Sequence, residues 1–431
     1  MGIHESLHER HKSVLPKWVA LYYEAPISLV RGEGLRVWDA EGNEYLDFFG
    51  GILTTMSGHN VPEIAEAIQK QASELLHSSS LYLVEPAIEL AELISDLSPI
   101  ENAKVFFASS GTEANDTALL LASSFRRSNQ ILAMRNSYHG RSFSSLAITG
   151  NRGWSPTSFS PLNVGYVDGG YLYRNRLKGL SDGEYNKAWA DDLRYLIETT
   201  TAGDVACFIA EPIQGVGGFT SPPDGFFAAL KEVLDEFGIL FISDEVQTGW
   251  GRTGEHFWGI DAHGVTPDVV TFAKGVGNGL AIGGVIARPE IMDSLQASSI
   301  STFGGNPLST AGALANLRYI VGNDLQGNAR KIGEHLISRL HELAQDHAVI
   351  GDVRGKGLML GIEFVEPGTM RPAPEVAVRV MEESRKRRLL IGKGGLYNSV
   401  VRFAPPMSLT LEEADEGFER FAQSVAAAQG S

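Results

Sequence analysis

The sequence predicts an α/β protein, with a mainly parallel sheet in a large domain and a smaller α+β domain beside it. Three observations carry that expectation. From Lys104 to Ala273, apolar runs the length of buried strands alternate with segments of helical apolar spacing. Most of these runs end in a turn of glycine and small polar residues, as at Ser109-Ser110-Gly111-Thr112 and Thr248 to Gly254. After Pro307 the alternation gives way to a long helical stretch, followed by strands mixed with helices. The expected divisions are an N-terminal segment at 1–50 packing on the small domain, a large domain at 51–310 and a small C-terminal domain at 311–431.

Taken in order, residues 28–50 read as short strands with turns, at Leu35–Trp38 and Tyr45–Phe48. Residues 62–76 and 85–97 carry helical spacing, through Ile64, Ile68 and Leu75 and then Leu90, Leu93, Ile94 and Leu97. Val105-Phe106-Phe107 reads as a strand running into a helix that lasts through Ala122. Ile131–Met134 and Val205–Ala210 read as further strands, with a helix at Phe226–Phe237. Two more strands follow, at Ile239–Ile242 and Asp268–Ala273. Between Ile131–Met134 and Val205–Ala210, residues 151–203 are rich in Pro, Gly and Tyr and are expected to form a surface insertion with a short helix near 190–199. Beyond Pro307 the spacing predicts helix over about 308–346, strands at Val349–Arg354 and Leu358–Phe364, a helix near 374–386 and a strand at Val400–Phe403.

Composition excludes several classes of function. The formal charge of −16 leaves no basic face for nucleic acid or an anionic membrane. No run of about 20 apolar residues occurs, so no membrane-spanning helix is expected. The start, Met1 to Val19, is polar and lacks the apolar core of a signal peptide, which predicts a cytoplasmic protein. Cys207 stands alone in an apolar run and reads as a core thiol. His4, His8 and His11 sit at helical spacing, but a frayed, solvated terminus explains them better than a metal site. Zinc spacings, a Walker loop and a G-x-S-x-G turn are all absent.

Chemistry concentrates between Gly238 and Gly279. Asp244 and Lys274 each stand where a core strand runs out, the edge at which ligands collect in open α/β sheets. A lysine desolvated there has its amine pKa lowered and becomes the nucleophile that Schiff-base chemistry needs. Ser110-Gly111-Thr112 ends one strand and opens a helix, whose free N–H groups and positive end suit a phosphate. Tyr138 adds an aromatic at a third strand end. A lysine, a carboxylate and a phosphate cradle together match what pyridoxal 5′-phosphate (PLP) requires.

The chain resembles the class III aminotransferases of PLP fold type I. The motifs are Ser109-Ser110-Gly111-Thr112-Glu113-Ala114, Tyr138-His139-Gly140, Glu211-Pro212-Ile213-Gln214-Gly215, the run Asp244 to Gly254, Ala273-Lys274-Gly275 and Thr302-Phe303-Gly304-Gly305-Asn306-Pro307. The resemblance runs from about Gly32 to Pro406. It implies that Lys274 holds the cofactor's aldehyde and shuttles the proton, and that Asp244 pairs with the pyridine nitrogen. By the same resemblance, Val246 and Tyr138 cover the two faces of the ring and Gln247 bonds its phenolic oxygen. Ser110, Gly111 and Thr112 would hold the phosphate, and Glu211 would orient the surrounding network. Thr302 would reach the phosphate of a partner subunit, in a homodimer or dimer of dimers with shared sites. Arg402 matches the arginine that grips substrate carboxylates. Members acting on ornithine or γ-aminobutyrate place a glutamate where this chain has Val216, so Arg402 is expected to lack that partner. The likeness is nearest to the alanine–glyoxylate and β-aminoisobutyrate–pyruvate branch. It implies an ω-aminotransferase passing an amino group from an amine or ω-amino acid to pyruvate or glyoxylate by a ping-pong mechanism. A phospho-lyase acting on ethanolamine phosphate and a non-catalytic scaffold are the alternatives.

Overall fold

The computed structural model describes residues 3–19 and 21–429. Its centre is a seven-stranded sheet. In spatial order the strands are Lys104–Ala108, Gly283–Ala287, Val269–Phe272, Leu240–Asp244, Cys207–Ala210, Gln130–Met134 and Asn163–Val167. Every strand runs parallel to the others except Gly283–Ala287, which pairs antiparallel with both its neighbours. The central strands are buried along their whole length, as continuous apolar runs covered on both faces must be.

Two smaller sheets accompany it. One is antiparallel, in the order Ile350–Lys356, Met359–Phe364, Val400–Phe403, Gly392–Gly394. The other joins Leu29–Glu33, Arg36–Asp39 and Glu44–Asp47 to Leu389–Leu390, so the N-terminal strands pair with a C-terminal one. The segment Gly50–Leu53 follows directly and turns left-handed at four consecutive residues, two of them Ile52 (φ 68°) and Leu53 (φ 61°). Such a turn is strained for residues bearing a Cβ.

Several expectations need correction. The insertion is not purely a surface excursion: Asn163–Val167 forms the edge strand of the main sheet. Its helix runs from Asp182 to Thr200, because Ser181 and Glu184 close a capping box well before the apolar positions that marked 190–199. The stretch 308–346 is two helices, Pro307–Gly322 and Leu325–Asp346, broken where Asp324 takes a left-handed conformation and caps the second. The N-terminus is solvated but helical, over Ile3–Val14 with no buried residue. Of its histidines, His4 faces carboxylates, with Nε2 3.6 Å from Asp39 Oδ2. Cys207 is a buried free thiol, as expected. Among the described residues no helix is long and apolar enough to cross a membrane.

Candidate active site

The carboxyl ends of the parallel strands and the start of Gly283–Ala287 surround a cavity of about 270 Å³. Nine of the expected residues line it: Ser110, Gly111, Thr112, Tyr138, Glu211, Asp244, Val246, Gln247 and Lys274. They come from four strand ends and, in Lys274, from a 3₁₀ turn. Arg402 and Thr302 are not among the lining residues. Thr302 is exposed, in the loop before the helix Pro307–Gly322.

Lys274 takes a positive φ of 47°, an unusual conformation for a side-chain-bearing residue, directly after Val269–Phe272. Burial pushes its amine below the usual ammonium range, opposed by the charges of Asp244 and Glu211 and aided by that of Arg402. Nearby, Asp244 is only 3% exposed. Its Oδ2 accepts from His139 Nδ1 at 2.7 Å and from Asn115 Nδ2 at 2.8 Å, and its Oδ1 accepts from the Val246 N–H at 3.1 Å. Asn115 is fixed in turn: Nδ2 also donates to the His139 carbonyl at 2.8 Å, and Oδ1 accepts from Thr271 Oγ1 at 2.7 Å. The carboxylate is therefore aimed by three residues, His139, Asn115 and Thr271, to which the sequence reading assigned no role.

Glu211 receives the N–H of Tyr138 and that of Gly215, both at 2.9 Å. Burial raises its pKa, and the nearby Asp244 charge adds to the rise. A Cβ at Gly215 would lie 2.2 Å from the Gln247 carboxamide, so a larger residue there would displace that side chain. On the opposite side, the helix Gly111–Arg126 presents its N-terminus to the cavity. Ser110 caps it by accepting from the Glu113 N–H at 3.2 Å.

Arg402 lies behind the Glu211–Gly215 turn, almost wholly buried. Its Nη1 donates to the Gly215 carbonyl at 2.9 Å and Nη2 to the Lys393 carbonyl at 2.8 Å, while Nε is buried without a partner. The guanidinium sits 5.0 Å from the Phe49 ring and 5.4 Å from that of Phe219. No carboxylate bonds it, in keeping with Val216 in the adjoining turn. Burial holds its pKa below the ordinary guanidinium value.

The donor set fits PLP. A helix N-terminus suits its phosphate, a half-buried amine of lowered pKa suits its aldehyde, and a fixed carboxylate suits its ring nitrogen. Two buried polar atoms of lining residues, His139 Nε2 and Gln247 Oε1, have no partner in the protein. These features, on a parallel sheet with the ligand edge at its carboxyl ends, define the class as the PLP-dependent transferases.

Residues 20–425 match the class-III aminotransferases, and the chain belongs to that family. It is 39% identical over 411 residues to alanine–glyoxylate aminotransferase 2 homolog 2, mitochondrial, of Arabidopsis thaliana, covering 95% of this chain and 84% of that one. It is 35% identical over 429 residues to an alanine/serine racemase of Pyrococcus horikoshii, covering 98% and 90%. Its fold superposes on an (S)-enantioselective ω-transaminase from Thermomicrobium roseum with a TM-score of 0.91, at 33% identity and 99% coverage of each chain. The protein is a PLP-dependent aminotransferase. Nothing among these relatives supports the phospho-lyase alternative.

Proposed function

We propose that the enzyme moves an amino group from an amine or ω-amino acid to pyruvate or glyoxylate in a two-stage, ping-pong cycle. Arg402 carries the reading. It is a buried guanidinium without a carboxylate partner, beside the turn that bears Glu211, and it suits the carboxylate of a keto acid. The Arabidopsis relative's name supports glyoxylate as acceptor, and the Thermomicrobium neighbour supports an amine as donor.

PLP, when bound, supplies a ring that takes up the electron pair left on the substrate carbon as its proton departs. The chain's residues then divide the work. Lys274 Nζ, with its pKa lowered by burial, accepts that proton and returns it to the neighbouring carbon. Asp244, aimed by His139 and Asn115, presents its carboxyl oxygens at its end of the cavity, where the ring nitrogen would pair with them. The N–H groups opening at Gly111 and Thr112, with Ser110, would hold the phosphate, while Val246 and Tyr138 would flank the ring and Gln247 would serve its phenolic oxygen; all of them line the cavity. Glu211 holds Tyr138 and the Gly215 turn in place through two accepted N–H bonds.

The assembly we infer is a homodimer, or a dimer of dimers, in which Thr302 serves the partner's site. Its support is an exposed apolar strip, Leu75, Leu76, Leu81, Tyr82, Leu83 and Phe303, with Phe303 next to Thr302. We divide the chain at 50 and 310, supported by the pairing of Glu44–Asp47 with Leu389–Leu390. A panel of amines and ω-amino acids tested with pyruvate and with glyoxylate decides the substrates. Turnover of α-amino acids without any transfer to either keto acid overturns the reading.

A further inference from the structure

Lys274 stands on a short and weakly bonded support. The turn Lys274–Gly277 is four residues long. Its own backbone bonds, from the Val276 N–H to the Ala273 carbonyl and from the Asn278 N–H to the Gly275 carbonyl, span 3.4 and 3.3 Å. Both are longer than ordinary N–H···O bonds. Such a turn does not by itself hold a lysine in a left-handed conformation inside the protein. The missing support comes from the helix Pro307–Gly322. Asn316, wholly buried in that helix among Ala313, Leu314, Leu317 and Ile320, donates Nδ2 to the Gly275 carbonyl at 2.9 Å and to the Val276 carbonyl at 2.8 Å. Its Oδ1 accepts from Ser57 Oγ at 2.7 Å. Carbonyls can only accept, so the carboxamide has one satisfactory orientation, and Ser57 locks it. The far end of the turn is tied to the same segment: Asn278 Oδ1 accepts the Ser57 N–H, and its Nδ2 donates to the Gly58 carbonyl, both at 3.0 Å. Neither Ser57 nor Asn316 lines the cavity.

We propose that Asn316, with Ser57 behind it, is a positioning residue for Lys274, acting through the two carbonyls that follow the lysine. Lys274 has two tasks in the cycle: to hold the cofactor's aldehyde and, once the substrate's amine has displaced it, to carry a proton between two carbons. In the first task the lysine is anchored at the tip of its side chain. In the second, the turn alone fixes where Nζ lies. Catalysis is sensitive to misplacement on the scale of one ångström, so the turn has to stay rigid when the tip is free. Asn316 supplies that rigidity with bonds shorter than those the turn makes for itself. It also keeps the turn dry, because buried carbonyls left without a donor draw in water or open the backbone. Water there would weaken the desolvation that keeps the amine below the usual ammonium range.

The inference rests on Lys274 being the working amine of the site, and the test separates the two. Asn316→Ala removes both bonds to the turn, and Ser57→Ala leaves the carboxamide in place without its lock. For the parent and each variant, the half-reaction of the PLP-loaded enzyme with 1-phenylethylamine is followed in single turnovers. In the cofactor-free protein, carbamylation of Lys274 by cyanate is followed against pH by mass spectrometry, with the exposed lysines of the same sample as reference. Thermal unfolding is measured alongside. For Asn316→Ala the limiting rate is expected to fall by roughly 10- to 100-fold, with less than threefold change in the amine concentration for half-saturation. The carbamylation midpoint of Lys274 is expected to rise by about one pH unit toward that of the exposed lysines. Ser57→Ala should move rate and midpoint in the same directions, the rate by roughly 3- to 10-fold. A general loss of stability lowers the unfolding temperature without moving the midpoint. A parent-like midpoint in folded Asn316→Ala, whatever its unfolding temperature, therefore makes Asn316 a structural residue only and overturns the inference. If Asn316→Ala does not fold, Ser57→Ala decides, and a parent-like rate and midpoint there overturn it equally. If borohydride fixes the cofactor of the parent to a lysine other than Lys274, the reading of Lys274 falls and this inference with it.

Discussion

Replacing Asp244 with Asn tests the charge at the heart of the site, and the structure sets the size of the effect. Asp244 Oδ2 receives two donors, Asn115 Nδ2 and His139 Nδ1, and Oδ1 receives the Val246 N–H. An asparagine offers one acceptor atom where the aspartate offers two. Whichever way its amide turns, an N–H₂ group faces at least one donor. Losing one charge-assisted bond in a buried site costs about 1.5–3 kcal/mol of stability. The effect on rate is larger, because the partner charge on the cofactor ring is then left buried and unpaired, at a cost of about 3–5 kcal/mol. At about 1.4 kcal/mol per tenfold, the half-reaction slows by roughly 10²- to 10⁴-fold. Single-turnover absorbance changes of the holoenzyme with an amine donor measure it, alongside thermal unfolding of the cofactor-free protein. A half-reaction within tenfold of the parent, in a variant that still binds PLP, would refute the placement of Asp244 at the ring nitrogen.

Borohydride treatment of the PLP-loaded protein should leave a pyridoxyl group on the peptide containing Lys274, and Lys274→Ala should abolish it; mass spectrometry showing the label on another lysine contradicts the assignment. Glu245, fully buried and bonded by Thr248 and by the Gly259 and Ile260 N–H groups, is raised by burial from 4.5 to about 7. Since its folded pKa lies above the unfolded one, its stabilising contribution is present below about pH 4.5 and is lost as pH rises through 7, at most about 3 kcal/mol. Denaturant titrations at pH 5 and pH 8 should therefore show a larger loss in the parent than in Glu245→Gln, and parallel profiles would dismiss the idea. Leu83, 94% exposed within the apolar strip, should when changed to Glu shift sedimentation from dimer toward monomer; an unchanged mass would remove that strip from the interface.

The fold was legible where one physical rule decided each element. Short continuous apolar runs with β-branched residues and turn residues at their ends, such as Val269-Val270-Thr271-Phe272, read as strands buried on both faces. The rule failed at Gly283–Ala287, a run of Gly-Gly-Val-Ile-Ala that follows a glycine-rich turn so closely that it merges with it. Glycine is needed there because Gly283 lies against the Ser110 and Phe272 carbonyls, and a Cβ would meet them at 2.8 and 2.9 Å. Its antiparallel direction has no sequence signature at all. The insertion was misjudged for a related reason: Asn163-Val164-Gly165-Tyr166-Val167 alternates like an edge strand, but its Pro- and Gly-rich surroundings hide the period.

The site divides along a similar line. Residues that line the cavity with charged side chains stand at strand ends and can be picked out singly, as Lys274 and Asp244 were. Residues that act through another are visible only as anomalies. Asn115 is one: it lies a turn inside the helix Gly111–Arg126, among the buried Ala114, Ala118, Leu119 and Ala122. A lone carboxamide on an apolar helical face needs a buried partner, and that was a readable signal. Arg402 lies at the far end of this scale. Its bonds go to the carbonyls of Gly215 and Lys393, and any residue type supplies a carbonyl. What holds it is the approach of the strand Val400–Phe403 to the turn after Cys207–Ala210, a meeting of segments nearly two hundred residues apart. Sequence could mark it as an unpaired arginine beside Val216. Only the packing of the small sheet against the large one explains why it can stay unpaired.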